Sequence, residues 1–352
     1  MNGDAEKMVG ELLAVRPHTV TDEEAARLLL DLYGIDGVLE PLSSERDQNF
    51  RVTAADGARY VFKFSHPAED PAVTVLQTAA LAHVAAADPS LPVPRVVPTR
   101  AGALMGELDM HGPPRRFFRL FSYMPGALLH EIAADARLLR AIGGVAARLD
   151  AALASFAHQD AGQLLLWDLT RLSHVRPLLG AMSGDPSEAA VSRAFDAFEQ
   201  VAAPMLPHLR AGFTHHDLNP YNLLIAHGAV SGVLDFGDMT RAPLVCDLAI
   251  AAAYHLGCGP GALDGAAACV SGYHAVLPLS PEEMTILPAL IAGRLAMTIV
   301  ITEWRARRDP GNAAYILRNN PAARRGLAAL EAAGFDAAAA HFRAACTGKD
   351  AA

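Results

Sequence analysis

The sequence predicts an α+β protein in two lobes: a small antiparallel β-sheet lobe carrying a helix, then a larger α-helical lobe. Three observations carry this. Residues that favour strands cluster before position 123. Past Pro125-Gly126 the apolar spacing turns helical. Beyond that point strand-like runs shrink to two short ones, at 222–226 and 230–235. The expected boundaries are 1–122 for the first lobe, 123–126 for a hinge and 127–352 for the second lobe. A chain of 352 residues is long enough for this division.

In order along the chain, Thr21-Asp-Glu-Glu24 reads as a capping box that opens a helix through AARLLLDLY. Residues 37–43, 49–54 and 59–65 read as strands, the last two joined through a tight turn at Asp56-Gly57. A helix over 72–87 stops at Asp88-Pro89. Two strands, 103–108 and 116–123, complete the first lobe. The second lobe opens with helices over 134–156 and 186–205 and closes with others running to an alanine-rich tail. Residues 286–302 make the longest apolar run. Arg294 interrupts it, and it falls short of the ~20 residues a bilayer span needs, so a buried helix is expected there.

Hydrophobic residues at 52% and charged residues at 19% describe a chain that builds a core. With 29 basic and 38 acidic residues, the net charge of −9 argues against nucleic acid or an anionic membrane surface as partner. The cysteines, Cys246, Cys258, Cys269 and Cys346, form no C-x-x-C pair. The opening residues carry acids and lack a basic start before an apolar stretch. Reduced thiols and a cytoplasmic location are therefore expected.

Three separated strings carry chemistry: Lys63 in RYVFKFS, His215-His-Asp217-Leu-Asn-Pro-Tyr-Asn222, and Gly232-Val-Leu-Asp235-Phe-Gly237-Asp238. Alone, a strand lysine is more often solvated than functional, and Asp-Phe-Gly recurs by chance. The adjacent histidines lack the i, i+4 spacing of a zinc site. In combination the strings meet the needs of phosphoryl transfer. That reaction asks for phosphate positioning, charge neutralisation and a carboxylate to receive the nucleophile's proton. The pattern H-x-D-x-x-x-x-N followed by D-F-G supplies such parts, and the interval between them reads as a hairpin that sets the two loops side by side.

Taken together, these strings resemble the aminoglycoside phosphotransferase and choline kinase superfamily of protein-kinase-like fold, and within it most of all the hydroxylysine kinases. The matching stretches are Asp47-Gln-Asn-Phe-Arg-Val52, Phe118-Arg-Leu-Phe-Ser-Tyr-Met-Pro-Gly126, the two catalytic strings extended to Met239, and Gly293-Arg294. They run in family order over nearly the whole chain. The resemblance implies transfer of a γ-phosphoryl group from ATP or GTP, with Mg2+, to a hydroxyl of a small amine or amino acid. Asp217 would be the catalytic base, Asn222 and Asp235 the magnesium ligands, and Lys63 the contact to the nucleotide phosphates. Residues 43–49 would form a phosphate-covering turn, with Ser44 in it and Asn49 at its tip. Phe121, Ser122, Tyr123 and Met124 would be the hinge, their backbone groups reading the purine edge. His215 and Asp247 would brace the catalytic loop.

The chain departs from the family in three places. The covering turn lacks a glycine-rich string. His216 stands where the family often has glycine, with its side chain expected to point away. The helix AVTVLQTAALAHV holds no acid, which leaves Glu69 as the carboxylate expected beside Lys63. For the acceptor, an amino acid needs an acid for its ammonium and an arginine for its carboxylate. Asp238 and Arg294 are the candidates, although an internal ion pair of Arg294 with Asp247 or another acid satisfies the sequence equally. Trp167 and Asp168 are further candidates, with core packing the alternative for Trp167. A type II homoserine kinase, an aminoglycoside phosphotransferase and a nucleotide-binding pseudokinase remain as alternatives. The oligomeric state does not follow from the sequence.

Overall fold

The capping box closes as its residues dictate: Thr21 Oγ1 accepts the Glu24 N–H at 3.2 Å, and Glu24 Oε2 accepts the Thr21 N–H at 2.9 Å. Helix α1 (Asp22–Tyr33) ends at Gly34, whose φ of 70° is the left-handed conformation glycine enters without strain. The structure, a computed structural model, describes residues 19–42, 44, 47–108, 115–159 and 165–348. The chain forms two compact units, one of the residues up to Pro125 together with His158 and Gln159, the other of the rest of the described chain.

In the first unit, strands β1 (Gly37–Leu42), β2 (Gln48–Ala54), β3 (Arg59–Phe64), β4 (Val96–Val97), β5 (Gly106–Leu108) and β6 (Arg116–Ser122) form one antiparallel sheet. Its order is β1-β2-β3-β6-β4, with β5 also on β6. Alternation sorts the side chains. Phe50, Val52, Phe62, Phe64, Phe118 and Leu120 pack on Leu29 and Tyr33 of α1. On the opposite face Asn49, Lys63 and Arg119 stand in register across β2, β3 and β6. Helix α2 (Pro71–Ala87) meets that polar row: Arg119 Nη1 donates to Gln77 Oε1 at 3.1 Å and to Thr78 Oγ1 at 3.3 Å. Acid-free α2 thus serves as a neutral acceptor surface for a buried arginine.

The second unit opens with β7 (Ala127–Leu128), which pairs with β9 (Leu223–Ala226); β9 in turn pairs with β10 (Ala229–Val233). Strands β8 (Ala211–Thr214) and β11 (Thr240–Pro243) make a second small ladder. Around them lie α3 (Ala136–Leu153), α4 (Glu188–Ala197), α5 (Leu244–Ala253), α6 (Asp264–Val276), α7 (Pro281–Arg308), α8 (Asn320–Ala333) and α9 (Phe335–Thr347). The helix expected over 186–205 is α4 followed by a π-helical turn at Phe198–Ala202. The apolar run around Arg294 lies within α7. This helix is long and apolar enough to cross a membrane, yet 94% of its most apolar window is buried inside the protein. It is a core helix.

Candidate active site

The second unit gathers the catalytic string on the loop between β8 and β9, braced from below by α5. Asp247 is fully buried and accepts the His216 N–H at 2.7 Å and the His215 N–H at 3.3 Å. His215 ties the two loops together. Its Nε2–H donates to the Leu234 carbonyl at 2.9 Å, its Nδ1 accepts the Asp217 N–H at 3.3 Å, and its ring meets Phe236 edge-on at 4.7 Å. The Leu234 N–H then donates to the Asn222 carbonyl at 2.7 Å. The backbone ahead of Asp235 is thereby fastened to both ends of the loop that carries Asp217.

Asp217 sits among donors. Oδ1 accepts Arg294 Nη2 at 2.6 Å; Oδ2 accepts Asn219 Nδ2 and Asn222 Nδ2, each at 2.8 Å. Asn222 spends its remaining amide hydrogen on the Asp217 carbonyl at 2.9 Å, so its Oδ1 is the atom left over for a ligand. Asp235 is exposed, with φ of 57°, and its Oδ1 caps the Gly237 N–H at 3.1 Å. An amide oxygen and a carboxylate are the hard donors that Mg2+ takes beside phosphate oxygens and water. The pair fits that ion. No cluster of three His, Cys, Asp or Glu side chains suited to a metal occurs among the described residues.

The His216 ring is turned towards Leu169 and Thr214. The residue's φ of 66° explains why glycine suits the position, since a non-glycine residue there costs about 1–2 kcal/mol. The ring is fully buried: Nε2 accepts the Leu169 N–H at 3.1 Å, and Nδ1 faces Thr214 Oγ1 at 3.2 Å. These bonds offset the strain and clamp the loop to the segment after Trp167.

Arg294 is 2% exposed and resolves the question the sequence left open: its acid is Asp217, not Asp247. Tyr254 Oη accepts from Nε at 3.2 Å and Nη2 at 3.1 Å, and the Trp167 ring lies 5.3 Å from the guanidinium carbon. Burial alone would lower the guanidinium pKa, but Tyr254, Asp217 and the charge of Asp238 outweigh it and hold the group cationic. Nη1 is buried and has no hydrogen-bond partner among the described residues. Asp168 is buried and caps Thr170 at 2.9 Å, so it is committed to local structure and does not offer itself to an acceptor.

In the first unit, Lys63 Nζ pairs with Asp47 Oδ2 at 2.7 Å. This corrects the expectation for Glu69, which instead accepts the Thr74 hydroxyl at 2.7 Å. Asp47 Oδ1 also accepts the His66 N–H at 2.9 Å. Burial pushes the Asp47 carboxyl up, but the Lys63 charge and these hydrogen bonds win and hold it below the ordinary value. Asn49 is not at a turn tip. It lies within β2, opposite Leu42 and Lys63, because the β1–β2 ladder runs on to that pair. Its Oδ1 is buried without a partner among the described residues. Ser44 is exposed, whereas positions 43, 45 and 46 of the expected covering turn lie outside the described residues.

The hinge is narrower than expected. The Ser122 N–H donates to the Arg95 carbonyl at 2.9 Å and the Tyr123 N–H to the Arg59 carbonyl at 3.2 Å. Phe121 is held in ladders on both sides. Pro125 has no N–H, so among the described residues the Met124 amide is the donor of this stretch left without a partner. Sequence reasoning missed three residues of these sites: Asp47, Asn219 and Tyr254. Asp47 and Asn219 stand inside the strings already singled out, and Asn219 was open to recognition as a second amide beside the base. Tyr254, 40 residues from Arg294, left no local signal.

Residues 38–279 match the phosphotransferase enzyme family, and the chain belongs to it. It is 29% identical over 299 residues to hydroxylysine kinase of Danio rerio, a match that covers 81% of this chain and 84% of that one. It is 32% identical over 269 residues to homoserine kinase of Methylobacillus glycogenes, covering 75% and 76%. Among solved structures it resembles the microcompartment-associated aminopropanol kinase, with a TM-score of 0.67 and 18% identity over 86% of this chain and 95% of that one. The fold is the α+β, protein-kinase-like one, and the protein is a kinase-type phosphotransferase acting on a small-molecule hydroxyl.

Proposed function

We propose that the protein transfers the γ-phosphoryl group of ATP or GTP to the side-chain hydroxyl of an amino acid or amino alcohol, as a hydroxylysine kinase-like enzyme. The observation that carries this reading is the setting of Asp217, whose carboxylate is held by Arg294, Asn219 and Asn222 on a loop tied to the strand before Asp235. Similarity to a hydroxylysine kinase over most of both chains supports it.

Asp217 acts as the base. A carboxylate has about four lone-pair sites; three are taken, which leaves one for the incoming hydroxyl. The three donors fix the direction in which the remaining lone pair points. That suits a loose phosphoryl transition state, where orientation of the nucleophile counts for more than basicity. Asn222 and Asp235 hold Mg2+, which supplies neutralisation of phosphate charge when bound. Lys63, oriented by Asp47, contacts the nucleotide phosphates, and the Met124 N–H reads the base edge. At the acceptor, the Arg294 charge answers a carboxylate and Asp238 an ammonium, with Trp167 as apolar wall. Such a donor and acceptor belong to the cytoplasm, in keeping with four free cysteines.

Homoserine kinase is the second reading, favoured by the 32% identity above, and it shares the acceptor's amino-acid end. A coupled assay of nucleoside diphosphate release decides. The acceptors are 5-hydroxylysine, homoserine, ethanolamine and kanamycin, each with ATP and with GTP. Highest kcat/KM for 5-hydroxylysine is expected. Preference for kanamycin, or no turnover of any acceptor, would overturn the reading.

A further inference from the structure

Behind the backbone of His215 and His216 lie three fully buried polar side chains: Asp247 of α5, Asp150 of α3 and Tyr273 of α6. Both Asp247 oxygens are acceptors, of the His216 and His215 N–H groups. The Tyr273 hydroxyl donates to Asp150 Oδ2 at 2.6 Å. The Asp247 carboxylate is close enough to act on the Asp150 carboxyl, yet Asp150 Oδ1 is buried and no donor among the described residues meets it.

Two adjacent ionised carboxylates sealed from water repel one another and leave that oxygen unsatisfied. One proton on Asp150 removes both penalties, because it cancels a charge and turns the vacant oxygen into a donor. The charged and titratable groups around the pair agree with this. Burial, then the charge of Asp247, push the Asp150 carboxyl well up. Arg210 opposes them, but it is already engaged by Glu283 at 2.8 and 2.9 Å. The Tyr273 hydroxyl and the Cys246 thiol are both pushed up by burial and stay neutral.

We infer that Asp150 is a neutral carboxylic acid whose O–H donates to Asp247, and that the chain Tyr273–Asp150–Asp247 positions the catalytic loop through the amides of His215 and His216. The helix packing is built for this reach. α3 and α6 cross at glycines, where a Cβ on Gly143 would stand 1.9 Å from the Cys269 carbonyl and one on Gly272 1.9 Å from the Arg140 carbonyl. Neither Asp150 nor Tyr273 touches substrate; both act through Asp247.

Two measurements test this. In protein labelled with 13C at the aspartate side-chain carboxyl, one resonance is expected to keep the shift of a protonated carboxyl at neutral pH and to vanish in Asp150→Asn. If every aspartate resonance shows the ionised shift, the inference fails. The kinetic arm, which rests on Asp217 being the base, follows ATP-dependent phosphorylation of 5-hydroxylysine. Asp150→Asn keeps a neutral donor and is expected to hold kcat within about twofold. Asp150→Leu removes the donor and is expected to lower kcat about tenfold with the nucleotide KM unchanged. A leucine variant as active as wild type would contradict the positioning role. If it does not fold, Tyr273→Phe, expected to give a smaller fall in kcat with the same KM, takes its place, and wild-type kcat there is equally contradictory. If the wild type turns over no hydroxylated amine or amino acid with ATP or GTP, the proposed function falls, and the carboxyl resonance still decides the inference.

Discussion

Arg294 is a buried cation with contacts to Tyr254, Trp167 and Asp217 and one nitrogen left over. If the Arg294 charge receives an acceptor carboxylate, Arg294→Gln separates acceptors by their chemistry. It should raise KM about 10–100-fold for amino acids, the usual worth of a charged hydrogen bond, and change KM little for amino alcohols. Equal losses for both kinds would show that Arg294 serves Asp217 alone. Lys63 gives a second residue-scale test. Asp47→Asn removes the carboxylate that orients the lysine, and the nucleotide KM should rise about tenfold with a smaller change in kcat; an unchanged KM would remove Asp47 from the site. The pH dependence follows from its lowered carboxyl pKa. The folded state holds the ionised form more tightly than the unfolded chain does. The resulting stability is present above the ordinary carboxylate range and is lost as pH falls through the lowered folded value. Asp47→Asn should flatten that acid limb in denaturant titrations. At this scale the fixed spacing of the strings singled out Asp217, Asn222 and Asp235, and the structure ties the loops that carry them together through His215 and Leu234. The sequence concealed the partners, because Lys63 can pair with any nearby carboxylate, and Asp47 is brought to it by the pairing of β2 with β3.

At the scale of elements, the crossing of α3 and α6 is the tightest constraint in the second unit. A methyl group at Gly272 would meet the Arg140 backbone, which cannot yield as a flexible side chain can. Gly272→Ala should therefore destabilise the protein by about 3 kcal/mol or more in chemical denaturation, whereas Gly180→Ala, with open space around it, should stay within about 1 kcal/mol. Similar losses at the two positions would contradict the close approach. Elements with strong local signals were legible: the capping box of α1, the hairpin at Asp56-Gly57, and the buried helix around Arg294. The backbone donors of the expected hinge were not legible. Which of its amides remains available depends on Arg59 and Arg95 across the sheet, and those partners are set by register. Likewise Asn49 was displaced from the expected turn because β1 and β2 stay paired as far as Leu42 and Asn49.

At the scale of the whole molecule, the family order of strings along the chain was enough to anticipate the fold, since each string requires its own strand, loop or helix. The acceptor was not legible, because the pocket proposed for it draws on residues as far apart as Trp167, Asp217, Tyr254 and Arg294, which the fold gathers around the guanidinium. The thiols provide a check on the fold that involves no substrate. Burial pushes Cys269 up to about 12 and Cys346 to about 11, while Cys258 is exposed. Cys258 should react first with a thiol reagent at pH 8, and Cys246 and Cys269 only on unfolding; early labelling of Cys269 would contradict the packing of α6. The most direct test of the central claim is a comparison of Asp217→Asn with wild type, with Mg2+-dependent nucleotide affinity and turnover measured on the same samples. The account predicts unchanged affinity with kcat lower by ~10²–10⁴, the usual contribution of a positioned base. Turnover near the wild-type rate would contradict it.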